Sequence, residues 1–127
     1  MDQHYSKNSQ IVTDQHISFF QTFGYLAFPG LIKDCIDEII EAFEEVWRQR
    51  EYTHFDGVPH NGTKRSCIVP FPDQHPRLCQ LLTDPRIDAI ASVLLGDDYN
   101  FMPSDGNYYV GNTGWHSDGI NSDILHI

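Results

Sequence analysis

Between Cys35 and Gln49 the large apolar side chains are Ile36, Ile39, Ile40, Phe43, Val46 and Trp47, at i, i+3, i+4, i+7, i+10 and i+11. Only a helix of 3.6 residues per turn gathers those positions on one side, so the spacing predicts a helix with a dry and a wet face. Asp37, Glu38, Glu41, Glu44 and Glu45 fill the wet face, with the early acids toward the positive end of the helix dipole and Arg48 and Arg50 toward the negative end. These acids read as a solvated surface rather than as paired catalytic carboxylates.

A dry helix face has to be covered, and the remaining sequence supplies candidates. Thr13 is a plausible N-cap for a helix carrying Ile17, Phe20 and Phe23, and Gly24 is its stop. Tyr25-Leu26-Ala27-Phe28 is expected to be a short buried strand closed by Pro29-Gly30. Residues 51–75 hold Gly57, Pro59, Gly62, Pro70 and Pro72 and read as loop, with Cys67-Ile68-Val69 as a strand within it. After a short helical segment following Pro76, Asp84 and Pro85 occupy the N-cap and first position of a helix with Ile87, Ile90, Ala91, Leu94 and Leu95 inward, ended by Gly96. Tyr99, Phe101, Tyr108, Tyr109 and Val110, punctuated by Pro103, Gly106, Gly111 and Gly114, then predict short strands, and Ile124-Leu125-His126-Ile127 a further one. Helices first and strands afterwards make an α+β chain, with a polar tail over residues 1–12 and one folded unit over 13–127.

A length of 127 residues suits a single core. The net charge of −10, from 18 acids against 8 bases, repels a phosphate backbone, so neither nucleic acid nor an anionic membrane is expected as a partner. Cys35, Cys67 and Cys79 are odd in number and widely spaced, which suits reduced thiols. The opening Met1-Asp2-Gln3-His4-Tyr5 has no leader pattern and no apolar run reaches membrane-spanning length, so the expected location is cytoplasmic. Asn61-Gly62-Thr63 is read as an Asn-Gly turn rather than as a glycosylation site.

The chemistry-bearing segment runs from Asn107 to Gly119. In an extended strand side chains two apart share a face, so His116 and Asp118 project together while Ser117 points away. An imidazole and a carboxylate converging on one point supply two ligands of a 2-His-1-carboxylate iron site. His-x-Asp alone is a weak signal, since chance gives about 0.7 matches in a chain of this composition. A second match, His54-Phe55-Asp56, lies among loop residues without a preceding strand and is assigned to an exposed loop.

The context separates the two. An aromatic strand, a Gly-bounded turn, Trp115 directly before the histidine and Gly119 after the aspartate resemble the phytanoyl-CoA dioxygenase family, as does the earlier Phe23-Gly24-Tyr25-Leu26 passage from helix to strand. The resemblance implies a double-stranded β-helix, a jelly roll whose first strands this chain would hold, and an Fe(II)- and 2-oxoglutarate-dependent dioxygenase acting on a small organic substrate. His116 and Asp118 would be iron ligands; Asn107 and Tyr109, on one face of the preceding strand, would contact 2-oxoglutarate. Halogenating relatives lack the carboxylate, so Asp118 points to hydroxylation. Trp115 reads as a packing residue, and Lys64 and Arg65, which could offer a cation to a carboxylate, read first as loop charges.

The distal histidine and the arginine that the family places on later strands have no counterpart here, His126 being the only histidine after His116. The chain therefore reads as the N-terminal part of such a domain, inactive by itself. The competing reading is a non-enzymatic module that forms a homo-oligomer or binds a partner through exposed strand edges.

Overall fold

The computed structural model describes residues 11–102 and 104–114, and in them the chain is α+β. Helices α1 (Asp14–Phe23), α2 (Ile36–Gln49), α3 (Pro76–Leu81) and α4 (Pro85–Leu95) accompany two short strands, β1 (Ser66–Ile68) and β2 (Gly106–Tyr108). The strands pair antiparallel, with Ser66 opposite Tyr108, Cys67 opposite Asn107 and Ile68 opposite Gly106.

Local signals fix most helix ends. The Thr13 side chain accepts from the His16 N–H while the His16 ring accepts from the Thr13 N–H, a reciprocal cap in which histidine replaces the usual Glu or Gln. Gly24 then adopts φ 75° and donates its N–H to the Phe20 carbonyl. At the start of α4 the Asp84 carboxylate accepts from the Arg86 N–H, with Pro85 at the first helical position.

The core lies where α2 meets α3 and the sheet. Ala42, Val46, Trp47, Ile68, Phe71 and Leu78 are buried, with Ile39, Phe43 and Tyr108 packed against them. Tyr108 meets Trp47 edge-on at 4.8 Å and Phe43 at 5.5 Å, so β2 is held to α2 by rings as well as to β1 by hydrogen bonds. The dry face of α2 is rotated from the predicted stripe: Ala42 is inside, whereas Ile36 and Ile40 remain 37% and 53% exposed. Small Ala42 lets neighbouring elements approach, and the aromatic partners lie on that side. Ile36 instead joins Phe28, Leu31, Ile32 and Ile87 around an open apolar groove.

Other expectations are also corrected. The segment 25–28 is not a strand, and Tyr25 is exposed. No described strand offers it a ladder, and Tyr25 instead packs its ring against Phe19, which in turn touches exposed Phe23. Tyr99 and Phe101 are likewise outside any strand, the Tyr99 hydroxyl donating back to Asp88 on α4 at 2.8 Å. The α2 acids are not simply solvated: Glu38 pairs with Arg77 at 2.7 Å, Glu45 faces His75 at 3.4 Å, and Glu44 accepts from the Tyr108 hydroxyl. No described helix is long and apolar enough to cross a membrane, and all three cysteines are free thiols.

Arg86 ties α4 to the turn before α2. Its guanidinium donates to both Asp84 oxygens, to the Leu31 carbonyl at 2.7 Å and to Asp34 at 2.6 Å. The side-chain hydrogen bonds from Arg86, then its backbone N–H, hold the Asp84 carboxyl well below the usual carboxylate range. A depressed native pKa adds stability that is present above the unfolded value of about 4 and is lost as acid protonates the native group. Unfolding free energy should therefore fall as pH drops below about 4, and Asp84→Asn should flatten that acid limb. Urea unfolding across this range checks it, and identical acid slopes in both proteins would contradict it.

Candidate functional site

The sheet has two chemically different faces. Ser66, Ile68 and Tyr108 turn toward α2, where Ser66 and Ile68 are buried. Cys67 and Asn107, opposite one another in the register, occupy the other face. One residue past the paired strands, the Arg65 guanidinium lies over the Tyr109 ring at 5.8 Å and reaches the Cys67 sulfur at 3.8 Å. Arg65, Cys67, Asn107 and Tyr109 thus form one polar patch spanning both strands. Asn107 Oδ1 is buried and, among the described residues, has no hydrogen-bond partner.

The outer edge of β1 explains a sequence misreading. The Cys67 N–H donates to His54 Nδ1 at 2.7 Å and the Cys67 carbonyl accepts from the Phe55 N–H at 2.9 Å. Both backbone groups therefore point away from β2 and need partners, which residues 54–55 supply. His54 was expected in an exposed loop; its side chain is only 18% exposed, because it caps a strand edge. Since Nδ1 accepts, the ring proton sits on Nε2, which faces Asp56 Oδ2 at 3.9 Å, beyond hydrogen-bond reach. The His54-x-Asp56 pair is thus built into structure on its imidazole side. Among the described residues no group of three His, Cys, Asp or Glu side chains could hold a metal.

His60 completes the inner wall. Its Nδ1 lies 2.8 Å from the Ser66 hydroxyl and its ring stacks on Tyr108 at 5.4 Å. Burial, and then the hydrogen bond to Glu44, push the Tyr108 hydroxyl above the usual phenol range.

Of the residues singled out by sequence, Asn107 lies on β2 and Tyr109 directly after it, and they share their patch with Arg65. The predicted iron ligands His116 and Asp118 lie outside the described residues, as do Trp115, His126 and the strand predicted over 124–127. Arg65 and Cys67 were not grouped with Asn107 from sequence, because that grouping depends on a register between segments about 40 residues apart. Compared with family models, curated proteins and solved structures, the chain finds no match in any of the three.

Proposed function

We propose that this chain carries part of the active site of an Fe(II)- and 2-oxoglutarate-dependent dioxygenase that hydroxylates a small organic substrate. The Trp115-His116-Ser117-Asp118-Gly119 segment, following an aromatic strand, carries the reading. In it β1 and β2 are the first strands of a double-stranded β-helix, with His116 and Asp118 each giving a lone pair to the metal. Iron with 2-oxoglutarate supplies oxidative decarboxylation to succinate coupled to oxygen insertion at a C–H bond.

The polar patch supports the cosubstrate half of the proposal. Among the described residues Arg65 forms no salt bridge; its guanidinium, held against Tyr109 and Cys67 with the Asp105 charge nearby, can still meet a carboxylate. Asn107, on the same face of the paired strands, adds an amide oxygen without a partner among the described residues. Tyr109 holds the guanidinium in place through its ring face. A ligand carrying a carboxylate fits this donor set, and binding it over a cation restricts where its remaining atoms lie.

Two ligands do not make a three-ligand site, and beyond Asp118 the sequence offers one histidine, His126, and no arginine. The 127-residue chain by itself is therefore expected to bind Fe(II) weakly and to form no succinate. The test is an anaerobic titration of the chain with Fe(II) and 2-oxoglutarate, followed by admission of oxygen and assay for succinate. Tight stoichiometric iron binding with turnover would overturn the assignment of ligands and make His126 the next residue to replace.

A further inference from the structure

An open cavity of about 290 Å³ lies beside the outer edge of β1, with His54, Asp56, Asn61, Lys64, Arg65 and Ser66 among its walls. Pockets for drug-sized ligands run from roughly 300 to 1,000 Å³, so this one suits a small molecule. Its charges are of both signs, and they do not close on each other. Among the described residues neither Lys64 nor Arg65 forms a salt bridge, with Asp56 or any other carboxylate.

Each wall has one end already committed. Asp56 Oδ1 accepts from the Val58 N–H at 2.9 Å, which fixes the carboxylate in an Asx turn and leaves Oδ2 3.9 Å from His54 Nε2 without a hydrogen bond to it. The Asn61 carbonyl oxygen is taken by the Thr63 N–H and hydroxyl at 3.0 and 2.6 Å, so the amide has only its NH2 left to offer. Gly62, at φ 75°, permits the tight turn that brings Lys64 and Arg65 back to the same cavity.

A simple anion entering here meets two cations but also the Asp56 charge. A simple cation meets the reverse. A molecule bearing both charges a few bonds apart gains from each group, and opposite charges that line one small cavity without pairing select for it by repelling the singly charged alternatives. We infer that this cavity binds a small zwitterion of the α-amino-acid class, its carboxylate toward Lys64 and Arg65 and its ammonium toward Asp56. Arg65 is the wall shared with the Asn107 and Tyr109 patch, so the bound molecule would lie next to it. The site needs neither iron nor 2-oxoglutarate, but it draws on the same Arg65 guanidinium that the proposed function offers to the cosubstrate, so the two ligands would compete for that cation.

The experiment titrates L-alanine, acetate, methylammonium and 2-oxoglutarate separately into the full chain in metal-free buffer, following amide NMR shifts over residues 61–66 and the heat of binding. L-alanine is expected to bind at least about tenfold more tightly than acetate or methylammonium, the scale of one charge-assisted hydrogen bond. Lys64→Ala and Asp56→Asn should each weaken it by about tenfold or more. Both variants should fold: Lys64 is exposed, and asparagine at position 56 still accepts from the Val58 N–H. Binding of acetate as tight as that of L-alanine, and indifferent to Asp56→Asn, would overturn the inference in favour of a plain anion site, whereas 2-oxoglutarate reports on the Arg65 patch of the proposed function. The absence of alanine-dependent shifts in this segment would also overturn the inference.

Discussion

Trp47→Ala is expected to remove about 3–5 kcal/mol of stability, a large share of the roughly 5–15 kcal/mol that holds a domain together. Trp47 is fully buried, and its ring is the surface on which β2 rests through Tyr108 at 4.8 Å. Truncation leaves a cavity between α2 and the sheet that the surrounding rings cannot close without breaking their edge-on packing. The indole also brings a cost, because among the described residues its buried Nε1 finds no hydrogen-bond partner. An unsatisfied donor of this kind costs roughly 1–3 kcal/mol, so Trp47→Phe should be much milder than its lost volume alone implies. Urea unfolding of the three proteins checks both parts. A loss under about 1 kcal/mol for Trp47→Ala would contradict the placement of the core.

Gly106→Ala is expected to destabilise by about 3 kcal/mol, the upper end of ordinary overpacking. Gly106 has no unusual backbone angle; its constraint is the Phe71 ring, whose Cγ, Cδ2 and Cε2 occupy the space a β-carbon would need. Phe71 is itself buried and is backed by Phe43 at 5.0 Å, so the ring cannot retreat. A hydrogen bond from the Phe71 N–H to the Ser104 carbonyl, at 3.0 Å, further fixes the distance between the two segments. Shrinking the obstacle should help: Phe71→Leu should cost less in the Gly106→Ala background than in the native one, with a coupling above about 1 kcal/mol in a double-mutant cycle. Strict additivity would show that the two positions do not meet.

The helix boundaries were legible because their determinants are local, whereas the inward face expected of α4 is not buried, Leu95 being 60% exposed. Thr13, Gly24, Asp84, Pro85 and Gly96 act on their own neighbours, and the structure uses each where the sequence suggested. The β half was legible only in part. Cys67-Ile68 could be recognised as extended, but Tyr25–Phe28 and Tyr99–Phe101 look no less strand-like, and what distinguishes them is whether a partner strand exists. The rotation of α2 that buries Ala42 and exposes Ile40 follows from which side Tyr108 and Phe71 occupy, again a non-local fact.

The candidate site divides in the same way. Asn107 and Tyr109 share a face by the two-residue period of a strand, which is read directly. Arg65 reads as a loop charge until the register brings it over Tyr109. His54 looked like an idle loop histidine because nothing in its neighbours announces that the Cys67 N–H needs an acceptor. Burial of a backbone donor thirteen residues away decided its role.

In the proposed function His116 and Asp118, and not the second His-x-Asp pair, would form the iron-binding end of a dioxygenase site. Anaerobic Fe(II) titration of the chain and of its His116→Ala, Asp118→Ala and Asp56→Ala variants tests this most directly. Weak binding that disappears in the His116 and Asp118 variants, survives Asp56→Ala and yields no succinate when 2-oxoglutarate and oxygen are added is the predicted result. Iron binding that persists in both the His116 and Asp118 variants, or that is lost with Asp56→Ala, would contradict it.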